Sequence, residues 1–163
     1  MAHFAEVRSD NNEVLRAIVI TNKDVDAHGG DYSQGAEDYV NNLMANAQSE
    51  SIKEEFGGSY PSTTYWKQCS YNKKRRGCFP GPGSTYNVEL DRFEGPKYFD
   101  SWILNEETCQ YEAPIPRPSP IHGNYFLSTS WDEPNQRWVG AGIDGNPNTY
   151  VWNTETNVWE EQV

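Results

Sequence analysis

Three pairs of large aromatic residues, each enclosing six residues with a polar, turn-forming centre, constrain this chain more than any other feature. Tyr86 and Phe93 bracket NVELDR, Trp131 and Trp138 bracket DEPNQR, and Trp152 and Trp159 bracket NTETNV. A chain that reverses in the middle of such a stretch makes the two rings cross-strand neighbours on one face of a ribbon. The same reading covers Trp66 to Pro118, where aromatic residues are separated by Gly, Pro, Asn and Asp and no run has helical spacing. Within it, Trp102 and Tyr111 frame a further hairpin turning around Glu106 and Glu107. An isolated two-stranded ribbon is marginal in water, so these hairpins must pack on each other, on a body, or on another chain.

The body is sought in the N-terminal third. HFAEVRSDNNEVLRAIVITN reads as a hairpin turning at Asp10, Asn11 and Asn12, whose short polar side chains tolerate left-handed backbone. In its return arm Leu15, Ala17 and Val19 share one face and Val14, Ile18 and Ile20 the other, which predicts a strand covered on both sides at the centre of its sheet. KDVDAHGGDYSQG reads as a polar loop, and Ser33 as the N-cap of a helix that places Ala36, Tyr39, Val40, Leu43, Met44 and Ala47 at helical spacing. The segment Ser51 to Phe56 continues that helix or forms a short turn of its own, ended by Gly57 and Gly58. The four prolines of APIPRPSPIHG predict an extended connector. The expected fold is therefore α+β: a small antiparallel sheet with one packed helix, then consecutive β-hairpins and a C-terminal β-ribbon. Residues 1–118 form the body with its central hairpins, and residues 119–163 a Trp-rich appendage.

Composition narrows the function. The 163 residues carry a formal net charge of −11, which repels phosphate backbones and anionic headgroups and argues against general nucleic-acid or membrane-surface binding. With a mean hydropathy of −0.86 and 13% aromatic residues, the chain relies on Trp, Tyr and Phe for apolar area. No run approaches the roughly 20 apolar residues of a membrane helix, and none after Met1 reads as a signal peptide. The expectation is a protein made and kept soluble.

Catalytic signatures are lacking: no HExxH, GxSxG, Walker loop or EF-hand pattern occurs, and His3, His28 and His122 have no metal-ligand spacing. No cofactor or metal site is expected. Acidic pairs such as Asp91 with Glu94 sit at hairpin turns, where solvent exposure and local turn bonding explain them. The run Lys73, Lys74, Arg75 and Arg76 stands out in an acidic chain, and reads either as a solvated hairpin tip or as an electrostatic docking point for an acidic neighbour. A two-residue turn at Lys73 and Lys74 would set Cys69 opposite Cys78 at a separation that suits a disulfide, with Cys109 left as a small apolar filler. Trp131, Trp138, Trp152 and Trp159 are partner-binding candidates if their rings are exposed, and ribbon packing if they are not.

The central residues also carry a resemblance. WKQCSYNKKRR from Trp66, GPGSTYN at 81–87, DRF from Asp91, PK from Pro96 and DSWILNEETCQYEAP at 100–114, with MAHFAEV at the N-terminus, resemble a family of small, largely uncharacterised proteins encoded by tailed phages of marine bacteria, cyanophages included. The likeness spans residues 1 to about 118 and departs from the pattern at Pro80, Pro82, Cys69, Cys78 and in a longer tail beyond Ser119. It implies a phage-encoded, virion-associated protein, made in the host cytoplasm, and brings no catalytic residues with it. The expected role is a non-enzymatic structural protein that decorates or cements the head, bound in multiple copies to the major capsid protein. The alternatives are a tail or fibre component, partnered by tail proteins, or a carbohydrate-binding module for host attachment.

Overall fold

A computed structural model describes residues 1–45, 63–143 and 146–162. The chain divides into two compact units: residues 1–97 with 105–110, and residues 98–104 with 111–163. Residues 98–104 and 111–118, assigned by sequence to the body, thus belong to the second unit. Their side chains explain this, because Phe99, Trp102, Ala113 and Ile115 pack around the tryptophans of that unit.

The first unit is built on an antiparallel sheet of β1 (Ala2–Arg8), β2 (Val14–Ile20) and β3 (Thr64–Cys69), in the order β2-β1-β3. The hairpin turn falls at Asp10 to Asn12 as expected, with Asn12 at a φ of 60°. The central strand is β1, however, and not the return arm. Phe4, Ala5, Glu6 and Val7 are fully buried, whereas Val19 of β2 is half exposed. The polar residue inside each strand accounts for the difference. Glu6 can sit at the centre because Arg16 Nε (2.6 Å) on one neighbour and Thr64 Oγ1 (2.8 Å) on the other both donate to its carboxylate. Arg16, whose side chain stays 27% exposed, occupies the strand at the edge.

Two cores lie on the two faces of β1. Ala2 and Phe4 meet Val25, Ala36, Val40 and Trp66 on the helical side, while Ala5 and Val7 meet Tyr86, Phe93 and the three cysteines on the other. The helical side holds α1 (Asn22–Ala27), in the stretch expected to be a loop, and α2 (Gln34–Ala45). Helix α1 is only six residues long; it forms because Thr21 caps it, accepting from the Asp24 amide (3.2 Å), and because Val25 enters the core. Ser33 caps α2 as predicted, its Oγ accepting from the Ala36 amide (3.1 Å). Ala36 and Val40 are buried, whereas Leu43 of the same predicted stripe is 44% exposed. Ala47 and residues 51–58 lie outside the described residues. No helix among the described residues is long and apolar enough to cross a membrane.

The hairpins follow one plan. Short strands β4 (Thr85–Asn87) and β5 (Arg92–Glu94) pair so that Tyr86 faces Phe93, with ring centroids 5.0 Å apart. Strands β6 (Ile103–Asn105) and β7 (Gln110–Glu112) form the hairpin expected around Glu106 and Glu107. The second unit contains a five-stranded antiparallel meander, β8 (Ile121–His122), β9 (Tyr125–Asp132), β10 (Arg137–Gly142), β11 (Thr149–Asn153) and β12 (Val158–Gln162). In it Trp131 faces Trp138 and Trp152 faces Trp159, each pair edge-to-face at 5.4 Å. Asn12, Asp91, Gln136 and Asn157 all have positive φ and all lie five residues beyond the first member of a facing pair: Val7 with Val14, Tyr86 with Phe93, and the two Trp pairs. Asn87 and Asn153, each following its aromatic, accept hydrogen bonds from the loop amides of Leu90 (3.1 Å) and of Glu155 and Thr156 (2.8 and 3.0 Å). In these two hairpins an Asn side chain thus fixes the turn in the same way. Among the described residues both helices belong to the first unit and most of the regular structure is strand, so α+β holds only loosely and the fold is mainly β.

Candidate partner-binding surface

The basic loop that follows β3 is a built structure. Ser70 organises it: its carbonyl accepts from the Lys73 amide (3.0 Å) and its Oγ from the Lys74 amide (3.1 Å). Lys73 and Arg76 have φ of 55° and 56°, and Gly77 of 71°, so the backbone coils instead of making a two-residue hairpin turn. Lys73, Lys74 and Arg75 are exposed. Aromatic rings flank them. Tyr71, 68% exposed, stacks on His3 at 5.5 Å and meets Phe79 edge-on, and the Arg75 guanidinium lies 5.1 Å from the Tyr32 ring centre.

Arg76, read from sequence as part of the tip, turns inward. Its side chain is 11% exposed and donates to Glu37, to Asp91 (2.9 Å) and to the Gln68 carbonyl (3.0 Å). Glu37 is the buried partner, and it also accepts from Lys67 Nζ (2.7 Å) and the Gln68 amide (3.3 Å). Asp91 in turn accepts from the Tyr86 hydroxyl. The network joins α2, β3, the basic loop and the β4–β5 hairpin, and its two carboxylates balance its two cations. An open cleft of about 480 Å³ lies over it, lined by Asn12, Tyr65, Lys67, Arg76, Tyr86 and Asp91.

The electrostatics hold these groups in fixed charge states. Burial works against the charge on Arg76, but its bonds to Glu37 and Asp91 more than offset this and raise its pKa above the usual arginine value. Burial, then the neighbouring Asp91, pushes the Tyr86 phenol up, so it stays a neutral donor. Burial alone would raise Asp91, yet the Tyr86 hydrogen bond and Arg76 hold it below the usual carboxylate range. What the arrangement does is clamp the base of the tip while its three outer cations face solvent.

The Cys69–Cys78 bridge, which the sequence allows, is not formed: Cys69, Cys78 and Cys109 are free thiols. Cys69 ends β3 opposite His3 of β1, while the Cys78 amide is held by the Phe93 carbonyl (3.2 Å), so the two are not facing members of one hairpin. All three are buried in one core. Burial pushes the Cys69 thiol up to about 12 and raises that of Cys78 as well, which leaves them protonated and unreactive.

The tryptophans are corrected too. Trp131, Trp138 and Trp159 are 6%, 6% and 3% exposed and form the core of the second unit, leaving Trp152 alone half-buried. Each buried indole is anchored: Trp131 Nε1 donates to Glu133 (2.7 Å), Trp138 Nε1 to the Ile115 carbonyl (2.8 Å) and Trp159 Nε1 to the Ser119 carbonyl (2.8 Å). The proline-rich segment is therefore a strap whose carbonyls receive two indole N–H groups. The three buried rings pack the ribbon and do not offer platforms to a partner.

Sequence reasoning missed Glu37, Lys67 and Tyr32. One signal for Glu37 was present, a carboxylate flanked by the buried helix positions Ala36 and Val40; its partners lie 30 and 39 residues away and leave no local trace. Compared with known proteins, the chain matches no family model, no curated protein and no solved structure.

Proposed function

We propose that this protein is a non-enzymatic structural component of a tailed-phage particle, an accessory that decorates the head by binding the major capsid protein in multiple copies. The observation that carries the reading is the basic tip. An acidic chain that holds Lys73, Lys74 and Arg75 on an ordered loop, beside the exposed Tyr71, has a surface suited to docking on an acidic protein neighbour. Ordering by Ser70, Glu37 and Asp91 lowers the entropy lost on binding. The sequence resemblance supplies the particle context, and the compact hairpins suit a component exposed on its surface.

Quantitative proteomics of purified particles tests the assignment. Hundreds of copies per particle support decoration, a number matching the tail's symmetry moves the protein to the tail, and absence overturns both. Charge reversal at Lys73, Lys74 and Arg75, leaving Arg76 intact, tests the surface. Rebinding to particles stripped of the protein is expected to fall at least tenfold at low salt, with the difference shrinking as ionic strength rises. Unchanged rebinding at every salt concentration overturns the docking role of the tip.

A further inference from the structure

A second surface lies in the meander. There the layer of core side chains ends at a groove of about 560 Å³, lined by His122, Tyr125, Asn146, Asn148, Tyr150 and Glu161. Its volume falls within the roughly 300–1,000 Å³ of small-ligand sites. Register places these residues together. His122 pairs with Tyr125 across β8–β9, and Tyr150 with Glu161 across β11–β12. Strand alternation puts Tyr125 on the face of Leu127, and Glu161 on the face of Trp159.

The floor is rigid. Tyr150 is 3% exposed, the His122 ring packs 4.8 Å from it, and Asn146 Nδ2 donates to its hydroxyl (3.0 Å). Asn146 Oδ1 also accepts from the Asn148 amide (3.0 Å), which sets the adjoining loop. The rim is chemically varied: the Tyr125 ring, 53% exposed, offers an apolar face, and the Glu161 carboxylate, the Asn148 side-chain carboxamide and the His122 imidazole offer hydrogen-bonding groups.

The lining discriminates among ligand classes. It contains no Lys or Arg and includes one carboxylate, so it disfavours anions. Its walls are too polar for a purely apolar guest, which would strand those groups without partners. A molecule that matches both features has an apolar C–H face for the tyrosine ring and adjacent hydroxyls that donate to a carboxylate and pair with an amide. We propose that this groove binds a neutral saccharide, with Tyr125 as the stacking platform and Glu161 and Asn148 as the hydroxyl partners. The inference uses residues of the second unit only and does not depend on the particle assignment, since the basic tip takes no part in it.

The test is an amide-resolved NMR titration of the full chain with the methyl glycosides of glucose, galactose, mannose and N-acetylglucosamine, and of glucuronic acid as the anionic control. The expected result is saturable, millimolar binding of at least one neutral glycoside, with shifts at residues 122–125, 148–150 and 161. Tyr125→Ala is expected to weaken it at least tenfold and Glu161→Gln several-fold, with the indole N–H resonances of Trp138 and Trp159 in place to show that both variants are folded. Absence of saturable shifts with every neutral glycoside overturns the proposal. So does equal affinity in both variants, or tighter binding of the glucuronide.

Discussion

Gly77 shows how much one residue decides. Its φ of +71° is in the left-handed region, and a Cβ placed there would lie 2.5 Å from the Phe93 carbonyl oxygen and 2.9 Å from Cys109 Sγ. Conformation alone costs an L-residue about 1–2 kcal/mol; collision with the backbone of β5 and with a thiol in a packed core adds to it. Gly77→Ala is therefore expected to lower the unfolding free energy by about 2–4 kcal/mol. Gly123, with a φ of +59° and open space where its Cβ would point, is the control. Gly123→Ala should cost only the conformational part, about 1 kcal/mol, and denaturant titration of both variants separates the two effects. Equal losses would mean that packing around Gly77 yields easily.

At the scale of the element, the aromatic pairs are legible in the sequence itself. A facing pair with six residues between it leaves one length of turn, and the Asn or Asp after the first ring supplies the side-chain acceptor that the turn needs. Hence Tyr86 with Phe93, Trp131 with Trp138 and Trp152 with Trp159 all fell in the predicted register. The misread elements depend on partners distant in sequence. That β1 and not β2 is central follows from Glu6 being satisfied by Thr64, 58 residues away, and Arg76 leaves the tip because Glu37 waits for it on α2. Helix α1 leaves no periodic signal in the sequence, because Val25 is its one core residue. If the rings contribute more than buried area, a double-mutant cycle of Trp152→Leu and Trp159→Leu, which keeps apolar side chains at both sites, should give a coupling of about 0.5–1.5 kcal/mol. A coupling near zero would reduce the pair to two independent hydrophobic contacts.

The whole molecule has an asymmetry that alkali should expose. In the first unit burial raises the pKa of Cys69, from 9.0 to about 12, and raises those of Cys78, Tyr65 and Tyr86 too. All three thiols of the chain lie in the first unit, and the second has none. For an acid held neutral in the fold, the folded pKa exceeds the unfolded one. Its contribution to stability is complete below the unfolded pKa and is lost as pH rises toward the folded value. For Cys69 that window runs from pH 9 to about 12, over which a single such group removes up to about 1.4 kcal/mol per pH unit. Denaturant midpoints of the first unit should thus be level near neutrality and fall steeply above pH 9. The edge-to-face pairs Trp131–Trp138 and Trp152–Trp159 provide a circular-dichroism exciton signal for the second unit, which should persist further into alkali. Cys69→Ala lowers the stability at neutral pH by leaving a small cavity, but it removes the titrating group and so should flatten the alkaline slope. An unchanged slope in that variant would assign the alkaline sensitivity to Cys78 and the buried phenols instead.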